Sequence, residues 1–436
     1  MDFVENLPNE LSKEIFSYLI PKALGIASMC SRNWREMSNQ DHYWMHHCML
    51  KQWLDFGMKI NLLEKPQIKC NRTNMSGTSP FFTFTEDKRL KLVPVCKWKM
   101  IYMRAHHLMS NWALGRYTVL PTLRGHMKRV TAMDSNGEIV VSGSVDKSMK
   151  IWTVDTSVCQ RTLEEHEDVI TVIKIHGDHI VTGCADGFVR LFSAKTGRLV
   201  TRFREHLGGV EKLQVDSEKI VSTGMDKIVK VWSIAEGILI HAMEGHTDEI
   251  ECLSICGDLA LTGSWDSVMI LWNTHEGQMI RRMQDHSEVV SCCQFDEKMI
   301  VSGSGDCTLK VWETETGKCT LTLKGHREEV YCVTYNKEVI ASGSADSTVR
   351  LWTLAGECRA VLQGHLGVVR CLYIDKYKLV SGGDQKRLIV WDYREGRALN
   401  VIHRNPSLLY MMWVNETLLV SASPETPGTL TVLSFW

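Results

Sequence analysis

Short apolar runs, separated by glycine, serine and aspartate, recur about every forty residues from residue 118 to residue 436. In one unit, Ile139–Ser144 and residues 149–152 flank a tight turn at Asp146, and the same pair of runs returns in each unit. β-Branched runs bounded by turn residues are typical of strands, and no helical pattern alternates with them. The pattern therefore predicts tandem four-stranded units, which is the arrangement of blades in a β-propeller.

Three kinds of side chain mark seven of these units at nearly fixed spacing. The histidines are His126, His166, His206, His246, His286, His326 and His365; the aspartates are Asp146, Asp186, Asp226, Asp266, Asp306, Asp346 and Asp384; the aromatics are Trp152, Phe192, Trp232, Trp272, Trp312, Trp352 and Trp391. A catalytic site would occur once, whereas this set occurs in every unit. Buried polar groups need partners, so we interpret the set as a structural hydrogen-bond network.

The units resemble WD repeats. Gly-His pairs stand at Gly125-His126, Gly245-His246, Gly325-His326 and Gly364-His365, and a literal Trp-Asp pair stands at Trp391-Asp392. The resemblance implies a hydrogen-bonded tetrad in each unit, made in the last full copy by His365, Asp384, Ser381 and Trp391. Phe192 has no indole N–H, so we expect the second copy to form a weaker network.

A degenerate eighth copy follows the seven. His403 and runs at residues 408–414, 417–423 and 429–436 supply three strands, and the fourth is predicted at residues 119–123, before the first full copy. A strand from one terminus that completes the blade of the other closes the ring and leaves no free sheet edge. The sequence therefore predicts an all-β, eight-bladed propeller over residues 118–436, and seven blades with an irregular tail remain the alternative.

The first 53 residues predict a separate, small all-α domain. Pro8 stands near the start of a helix on which Leu7, Leu11, Ile15 and Leu19 repeat every four residues. Pro begins helices well because its missing N–H has no intrahelical partner there. Pro21 begins a second helix with Leu24 and Ile26, Trp34 lies in a third, and Asp41 caps a fourth that carries Trp44.

This stretch resembles an F-box. The Leu-Pro-x-Glu-Leu opening of that family is residues 7–11 here, and its later positions match Ile15, Tyr18, Leu19, Leu24, Cys30, Trp34 and Trp44. The resemblance implies docking on the adaptor subunit of an SCF-type cullin-RING ubiquitin ligase. The expected adaptor-binding residues are Leu7, Pro8, Leu11, Ile15, Leu19 and Leu24. A plain helical cap on the propeller is the alternative.

Residues 54–117 are predicted to be a linker. Residues 66–79 indicate an exposed loop, and Trp98, Ile101, Tyr102, Leu108 and Trp112 have the spacing of a connecting helix.

Composition and charge exclude several classes of partner and location. The net charge is −1, which suggests neither nucleic acid nor a membrane surface as a partner. No basic-then-apolar leader or long apolar run is present, so we expect a cytoplasmic or nuclear protein. The fifteen cysteines show no metal-ligand spacing, and we expect no metal and no cofactor.

The two resemblances together imply a substrate-recognition subunit of an SCF-type ligase. Its partners would be the adaptor, the cullin scaffold and a protein target, with one copy per ligase. The chain would perform no catalysis itself. A WD-repeat scaffold without ligase contact and a propeller enzyme are the other function classes, and no unique polar cluster at the channel favours the enzyme.

In WD-repeat receptors the target pocket is lined by residues about five after each blade histidine and just before each turn aspartate. Here these positions include one arginine, Arg370, and two acids, Glu211 and Glu251. Phosphate recognition favours clusters of arginine. We therefore expect a target segment with an apolar or basic anchor rather than a doubly phosphorylated one. The predicted substrate-binding residues are Arg370, Tyr331, Trp265, Met225, Glu211 and Glu251.

Overall fold

The computed structural model describes residues 3–54, 56, 96–384, 387–402, 411–422 and 426–436. The loop predicted at residues 66–79, His403 and the beginning of the strand predicted at residues 408–414 lie outside this range. The chain forms two compact units, residues 1–110 and residues 111–436.

The first unit is helical, as predicted. Its helices are α1 (Phe3–Asn6), α2 (Asn9–Ser17), α3 (Pro21–Ala27), α4 (Arg32–Ser38) and α5 (Asp41–Leu50); α6 (Lys97–Leu114) begins in this unit and ends in the second. Pro21 is the first residue of α3, where its fixed φ suits a helix start. The Ser31 side chain caps α4 by accepting the Trp34 N–H at 3.3 Å.

Aromatic rings form the core of the helical unit. Phe16 of α2 meets Trp34 of α4 edge-on at 5.6 Å, and Tyr102 of α6 lies 5.4 Å from Trp44 and 5.1 Å from Trp53. Such pairs bury large apolar areas in a small domain. The first part of the predicted connecting helix therefore packs within the helical unit.

The second unit is an eight-bladed propeller, which confirms the predicted fold. The first four blades are β3–β6 (Val130–Ser135, Ile139–Ser144, Met149–Thr153, Cys159–Leu163), β7–β10 (Ile170–His176, His179–Cys184, Phe188–Ser193, Leu199–Arg204), β11–β14 (Val210–Val215, Lys219–Gly224, Val229–Ser233, Leu239–Met243) and β15–β18 (Ile250–Cys256, Leu259–Ser264, Val268–Asn273, Gln278–Gln284). Each is an antiparallel sheet whose strands follow one another from the inside of the ring to its rim.

The next three blades have the same order. They are β19–β22 (Val290–Phe295, Met299–Ser304, Thr308–Glu313, Cys319–Lys324), β23–β26 (Val330–Tyr335, Ile340–Ser344, Thr348–Trp352, Cys358–Gln363) and β27–β30 (Val369–Ile374, Leu379–Gly383, Leu388–Asp392, Arg397–Ile402). The eighth blade contains β31 (Met412–Val414), β32 (Leu418–Ala422) and β33 (Thr429–Ser434), with β1 (Thr118–Val119) and β2 (Leu123–Arg124) paired to β33.

The chain closes the ring through β33, as the sequence predicted. Thr118 pairs with Ser434, and Leu123 pairs with Leu430. The predicted single strand at residues 119–123 is instead two short pieces, because Pro121 between them has no N–H to donate to the ladder. Leu120 lies between the pieces and donates its N–H to the Val432 carbonyl at 3.0 Å.

The C-terminal residues are fixed by the end of α6. The Trp112 ring stacks on Phe435 at 3.4 Å, and the Asn111 side chain donates to the Phe435 carbonyl at 2.8 Å. The Trp112 indole N–H donates to the Glu416 carbonyl at 2.7 Å, and Lys378 lies over the Trp112 ring at 4.4 Å. Asn111 and Trp112, which precede the first strand, therefore contact both the C-terminal residues and the last two blades.

We expect Phe435→Ala to destabilise the chain by about 3–5 kcal/mol, because the ring is fully buried and its removal leaves a cavity. The melting temperature and the urea midpoint would measure the loss. Leu114→Ala is the control, since Leu114 is exposed on the same segment and should change stability by about 0.5 kcal/mol or less. Equal effects of the two substitutions would contradict this assignment.

Candidate functional site

The repeated polar residues form closed networks in five blades. The indole N–H donates to a Ser or Thr hydroxyl, the hydroxyl contacts the histidine Nε2, and the histidine Nδ1 contacts the aspartate. In the fifth blade these distances are 2.9 Å from Trp312 to Ser302, 2.8 Å from Ser302 to His286 and 2.8 Å from His286 to Asp306. The first, third, fourth and sixth blades repeat the arrangement.

The aspartates of these networks are held ionised. Burial alone would raise the pKa of Asp146, Asp226 and Asp346, but hydroxyl, imidazole and backbone N–H partners outweigh it and lower each pKa to about 2. Each of these carboxylates also accepts the N–H of the residue after the blade histidine, for example Arg327 at 3.1 Å from Asp346. The networks therefore fix the loop before each innermost strand to the turn of the same blade.

The second blade lacks this closure. Phe192 supplies no N–H, as predicted, but the loss of the contact between His166 and Asp186 was not predicted from the sequence. His166 contacts Thr182 at 2.8 Å, but Asp186 accepts from Arg190 at 2.7 Å instead. The Nδ1 atom of His166 has no hydrogen-bond partner within the described part of the chain.

The tetrad predicted for the seventh blade is wrong in one member. His365 and Trp391 both contact Ser381, at 2.6 and 2.7 Å, but Asp384 accepts from Arg370 at 3.1 Å. The copy is one residue shorter between its histidine and its aspartate, so Asp384 takes the position that Ala345 has in the sixth blade. The Ala345 N–H donates to the Glu329 carbonyl, and the Asp384 N–H donates to the Val368 carbonyl, in each case three residues after the blade histidine. Asp384 is therefore an additional residue of the face on which Arg370 lies.

We name this surface the loop face: the loops that precede the innermost strands and the turns between second and third strands. Its loops are mainly acidic from the second to the sixth blade. The acids of these loops and of the adjoining first strand residues, apart from the turn aspartates, are Glu167, Asp168, Glu211, Asp248, Glu249, Glu251, Glu288, Glu328 and Glu329, and the bases are Lys128, Arg129, Lys147, Lys212, Lys227, Arg327 and Arg370. The acidic arc would attract cations and repel phosphate groups.

The predicted target-binding residues fall into two groups on the loop face. In the third and fourth blades, Glu251 accepts from Lys212 at 2.9 Å and from the Trp265 indole at 3.1 Å. Trp265 and Met225 expose about half of their surface, 54% and 53%. Burial raises the pKa of Glu211, Lys212 partly offsets this, and the Glu251 and Glu249 carboxylates raise it further. A docked cation would relieve that repulsion.

The second group lies in the sixth and seventh blades. The Arg370 guanidinium stacks over the Tyr331 ring at 5.3 Å while it donates to Asp384. Arg370 is thus already paired with a carboxylate of its own blade. The sequence did not predict this pairing, because the one-residue shift of Asp384 is visible only when the strands are aligned by Ser381.

The helical unit carries a second candidate surface. Leu7, Leu11, Ile15 and Tyr18 are exposed along α2 and its flanks, and we name this set the apolar stripe. Pro8 beside it is also exposed, and Leu19 is half-buried. Leu24 is fully buried on the inner side of α3, so its prediction as an adaptor contact is wrong. A contiguous apolar patch on a small domain is typical of a protein interface.

Sequence reasoning missed part of the exposed apolar surface. Ile20, Ile26 and Met29 expose more than half of their surface, at 62%, 52% and 68%. Ile26 was expected inside the second helix with Leu24, two residues away. Residues two apart on a helix do not share a face, so the spacing could have separated them.

Neither a metal centre nor a membrane span is found in the described part of the chain. Its residues contain no group of three or more His, Cys, Asp or Glu side chains arranged to hold a metal ion. Among the described helices, none combines the length and apolar character needed to span a bilayer.

Both units match models of known protein families. The family model described as "WD domain, G-beta repeat" matches seven segments: residues 117–153, 157–193, 197–233, 237–273, 277–313, 317–353 and 356–392. The F-box-like family model matches residues 4–50.

Three curated relatives are named as an F-box protein, an F-box/WD repeat protein and a probable ligase subunit. A probable E3 ubiquitin ligase complex SCF subunit sconB of Arthroderma otae is 30% identical over 36% of this chain and 23% of its own length. An F-box protein of Saccharomyces cerevisiae is 29% identical over 36% of this chain and 24% of its own length. F-box/WD repeat-containing protein 7 of Drosophila melanogaster is 29% identical over 37% of this chain and 11% of its length. The matches thus span at most about a quarter of these relatives.

Among solved structures, the computationally designed Ika8 protein is similar to this chain. The TM-score is 0.68 and the identity is 27%, over 72% of this chain and 98% of the designed one.

The two open networks predict a pH dependence of stability. Burial, together with nearby arginines, lowers the pKa of His166 to about 3 and of His365 to about 4. The unfolded chain binds these protons near pH 6.5, so stability is complete above that pH and falls as the pH decreases towards the folded values. We expect the melting temperature to decrease between pH 7 and pH 5, and to decrease less in His166→Asn/His365→Asn.

The control for this measurement is His275→Gln, because His275 is exposed. It should keep the wild-type dependence. The same dependence in the double variant as in the wild type would contradict the role of the two buried imidazoles.

Proposed function

We propose that this chain, which belongs to the family of WD-repeat (WD domain, G-beta repeat) proteins, is the substrate-recognition subunit of an SCF-type E3 ubiquitin ligase. The observation that carries the proposal is the exposed apolar stripe within a segment that matches the F-box-like family model. The names of the relatives, which include SCF subunits, support the same role.

The helical unit would dock on the SCF adaptor through the apolar stripe. Leu7, Leu11 and Ile15 expose 37%, 48% and 39% of their surface, and Tyr18 exposes 81%. Burial of apolar surface stabilises a complex by roughly 25 cal/mol per Å² before the cost of association. Phe16 and Ser12, on the opposite side of α2, are fully buried, so the helix can present the stripe without loss of its own core.

The propeller would hold the target while the ligase transfers ubiquitin. The chain would contribute no chemical step; holding the target beside the transfer site makes the reaction effectively intramolecular. One chain would bind one adaptor and cullin scaffold, and the complex would act in the cytoplasm or nucleus.

The target segment is proposed to bind the loop face through a basic or apolar anchor. Glu211 offers a carboxylate, the neighbouring Glu251 shares its charge with Lys212, and Trp265 and Met225 offer exposed apolar surface. Arg370 is paired with Asp384. A doubly phosphorylated segment would therefore meet carboxylates and one neutralised arginine, which is unfavourable.

The adaptor contact is tested by co-purification of the full chain with the SCF adaptor and the cullin scaffold. We expect Leu7→Ala/Pro8→Ala to bind the adaptor at least about tenfold more weakly, because truncation of interface anchors costs more than about 1 kcal/mol each. Leu50→Ala is the matched control, since Leu50 is exposed on the same unit outside the stripe. Recovery of equal adaptor by both variants, or of none by the wild type, would leave a propeller scaffold without ligase contact.

The target preference is tested with an array of matched peptides. We expect the full chain to bind peptides with a basic residue beside an apolar one more tightly than doubly phosphorylated peptides. Glu211→Gln/Glu251→Gln should weaken this binding about fivefold at low salt, as expected for two partly exposed charge pairs. Glu297→Gln, an exposed acid outside the loop face, should have no effect. A preference for the doubly phosphorylated peptides that Arg370→Ala removes would refute the assignment, because it would place phosphate binding on the loop face.

A further inference from the structure

One position on the third strand of the blades is basic in five of the seven full copies. It lies two residues before the aromatic of the tetrad, and its members are Lys150, Arg190, Lys230, Lys310 and Arg350. Arg190, Lys230 and Lys310 are buried and Lys150 and Arg350 are half-buried, and burial makes an unpaired charge costly. Each of them therefore needs an oxygen partner.

Four of the five basic side chains have one. Lys150 donates to Thr162 at 2.8 Å, and Arg190 donates to Asp186 at 2.7 Å. Lys230 lies 3.3 Å from Asp226 and also donates to the Glu205 carbonyl, while Lys310 donates to Asp285 and, at 3.3 Å, to Thr322. The partners come from the facing outer strand, from the tetrad aspartate or from the residue before the blade histidine.

Arg350 donates to no oxygen within the described residues. Its one hydrogen bond is from Nη1 to the Cys358 Sγ at 3.8 Å, a weak acceptor, and its Nε is buried without a partner. The guanidinium carbon also lies 6.0 Å from the centre of the Trp352 ring, at the limit of a cation–π contact. Neither contact replaces a charged or carbonyl oxygen.

Arg350 has no such partner because the sixth blade lacks the two side-chain oxygens that Lys310 contacts in the fifth blade. Val361 faces Arg350 across the strand pair, where Thr322 faces Lys310. Gly325 precedes the blade histidine, where Asp285 stands in the fifth blade. The side chain of Arg350 fills the space over Gly325, since a Cβ built there would lie 2.5 Å from Nη1. The substitutions at two separate positions leave the same cation without a partner.

A pocket of about 110 Å³ opens at this place. It is lined by Arg327, Asp346, Thr348, Arg350, Val361 and Gln363. Arg327 is exposed on the preceding loop, and its side chain has no ion pair in the described part of the chain. The volume corresponds to a few water molecules at roughly 30 Å³ each, which is enough for one carboxylate or phosphate group.

The carboxylate of Asp346 offsets only one of the two guanidinium charges, and its oxygens are already occupied by other donors. Its oxygens already accept from the Thr348 hydroxyl at 2.6 Å, from His326 at 2.9 Å and from the Arg327 N–H at 3.1 Å. Against the opposing effect of burial, these donors lower the pKa of Asp346 to about 2 and hold its charge within the tetrad. The pocket thus contains two guanidinium groups and one ionised carboxylate, which leaves one positive charge in excess.

We propose that this pocket of the sixth blade binds a single oxyanion, the carboxylate or phosphate group of an acidic or phosphorylated side chain, through Arg350 and Arg327. Guanidinium groups recognise both anions through paired N–H donors. The ligand would supply the oxygen that Thr322 and Asp285 supply to Lys310 one blade earlier. The site extends from Arg327 on the loop face to the outer strands of the sixth blade, separate from the two predicted target-binding groups, and does not depend on the proposed ligase role.

The test is calorimetric titration of the full chain with inorganic phosphate, and separately with N-acetyl-aspartate N-methylamide, whose one carboxylate is that of the side chain, at constant ionic strength. We expect saturable binding of at least one of the two anions. Arg350→Ala should weaken it at least about tenfold, because it removes the paired donors. Binding of phosphate alone would indicate that the ligand is a phosphorylated side chain. Binding of both anions would indicate that the site accepts acidic side chains in general.

Two further variants keep the test decisive if Arg350→Ala does not fold. Val361→Asp places a carboxylate opposite Arg350 at an exposed position, so it should fill the site and abolish binding, whereas Val361→Asn should keep affinity within about threefold. Lys310→Ala is the control from the fifth blade and should leave binding unchanged. The proposal is overturned by an absence of saturable binding in the wild type, by equal affinity in Val361→Asp and Val361→Asn, or by an equal loss in Lys310→Ala.

Discussion

Closure of the ring by β33 is the constraint on which the rest of the propeller depends. β33 pairs on one side with β32 and on the other with β1 and β2, so strands from both ends of the repeat region form one sheet. Residues of that sheet, such as Leu120, Val420 and Val432, pack with Val140 and Trp152 of the first blade in one core. With the ring closed, the innermost strands are held against their neighbours and each loop has a fixed position.

The tetrads extend this rigidity to the loops. A buried histidine that contacts a hydroxyl and a carboxylate fixes the loop before each innermost strand to the turn of its own blade. Five copies of this network make the loop face a firm surface. A rigid surface loses little conformational entropy when it binds a partner, which favours affinity.

Where a copy departs from the repeat pattern, its charged and polar side chains have different partners from those in the other copies. The shorter seventh copy moves Asp384 from the tetrad to Arg370 and neutralises that guanidinium. In the sixth copy, Val361 and Gly325 remove two oxygens and leave Arg350 without an oxygen partner among the described residues. In the second copy, Asp186 turns to Arg190 and leaves the Nδ1 of His166 unpaired within the described chain. In each case a change at one or two positions of the repeat alters the partners of a charged or polar side chain.

The sequence by itself determined the eight blades, their order and the strand that closes the ring, because spacing and turn residues act locally and repeat. It also determined the start of α3 at Pro21 and the weak second network, since Pro and Phe192 lack the required N–H groups. Only the tertiary structure decided that Leu24 is buried while Leu11 is exposed, since helical spacing does not tell which face meets the core. It alone decided the partners of Asp384 and Arg350, because those depend on strand register and on residues far away in the chain.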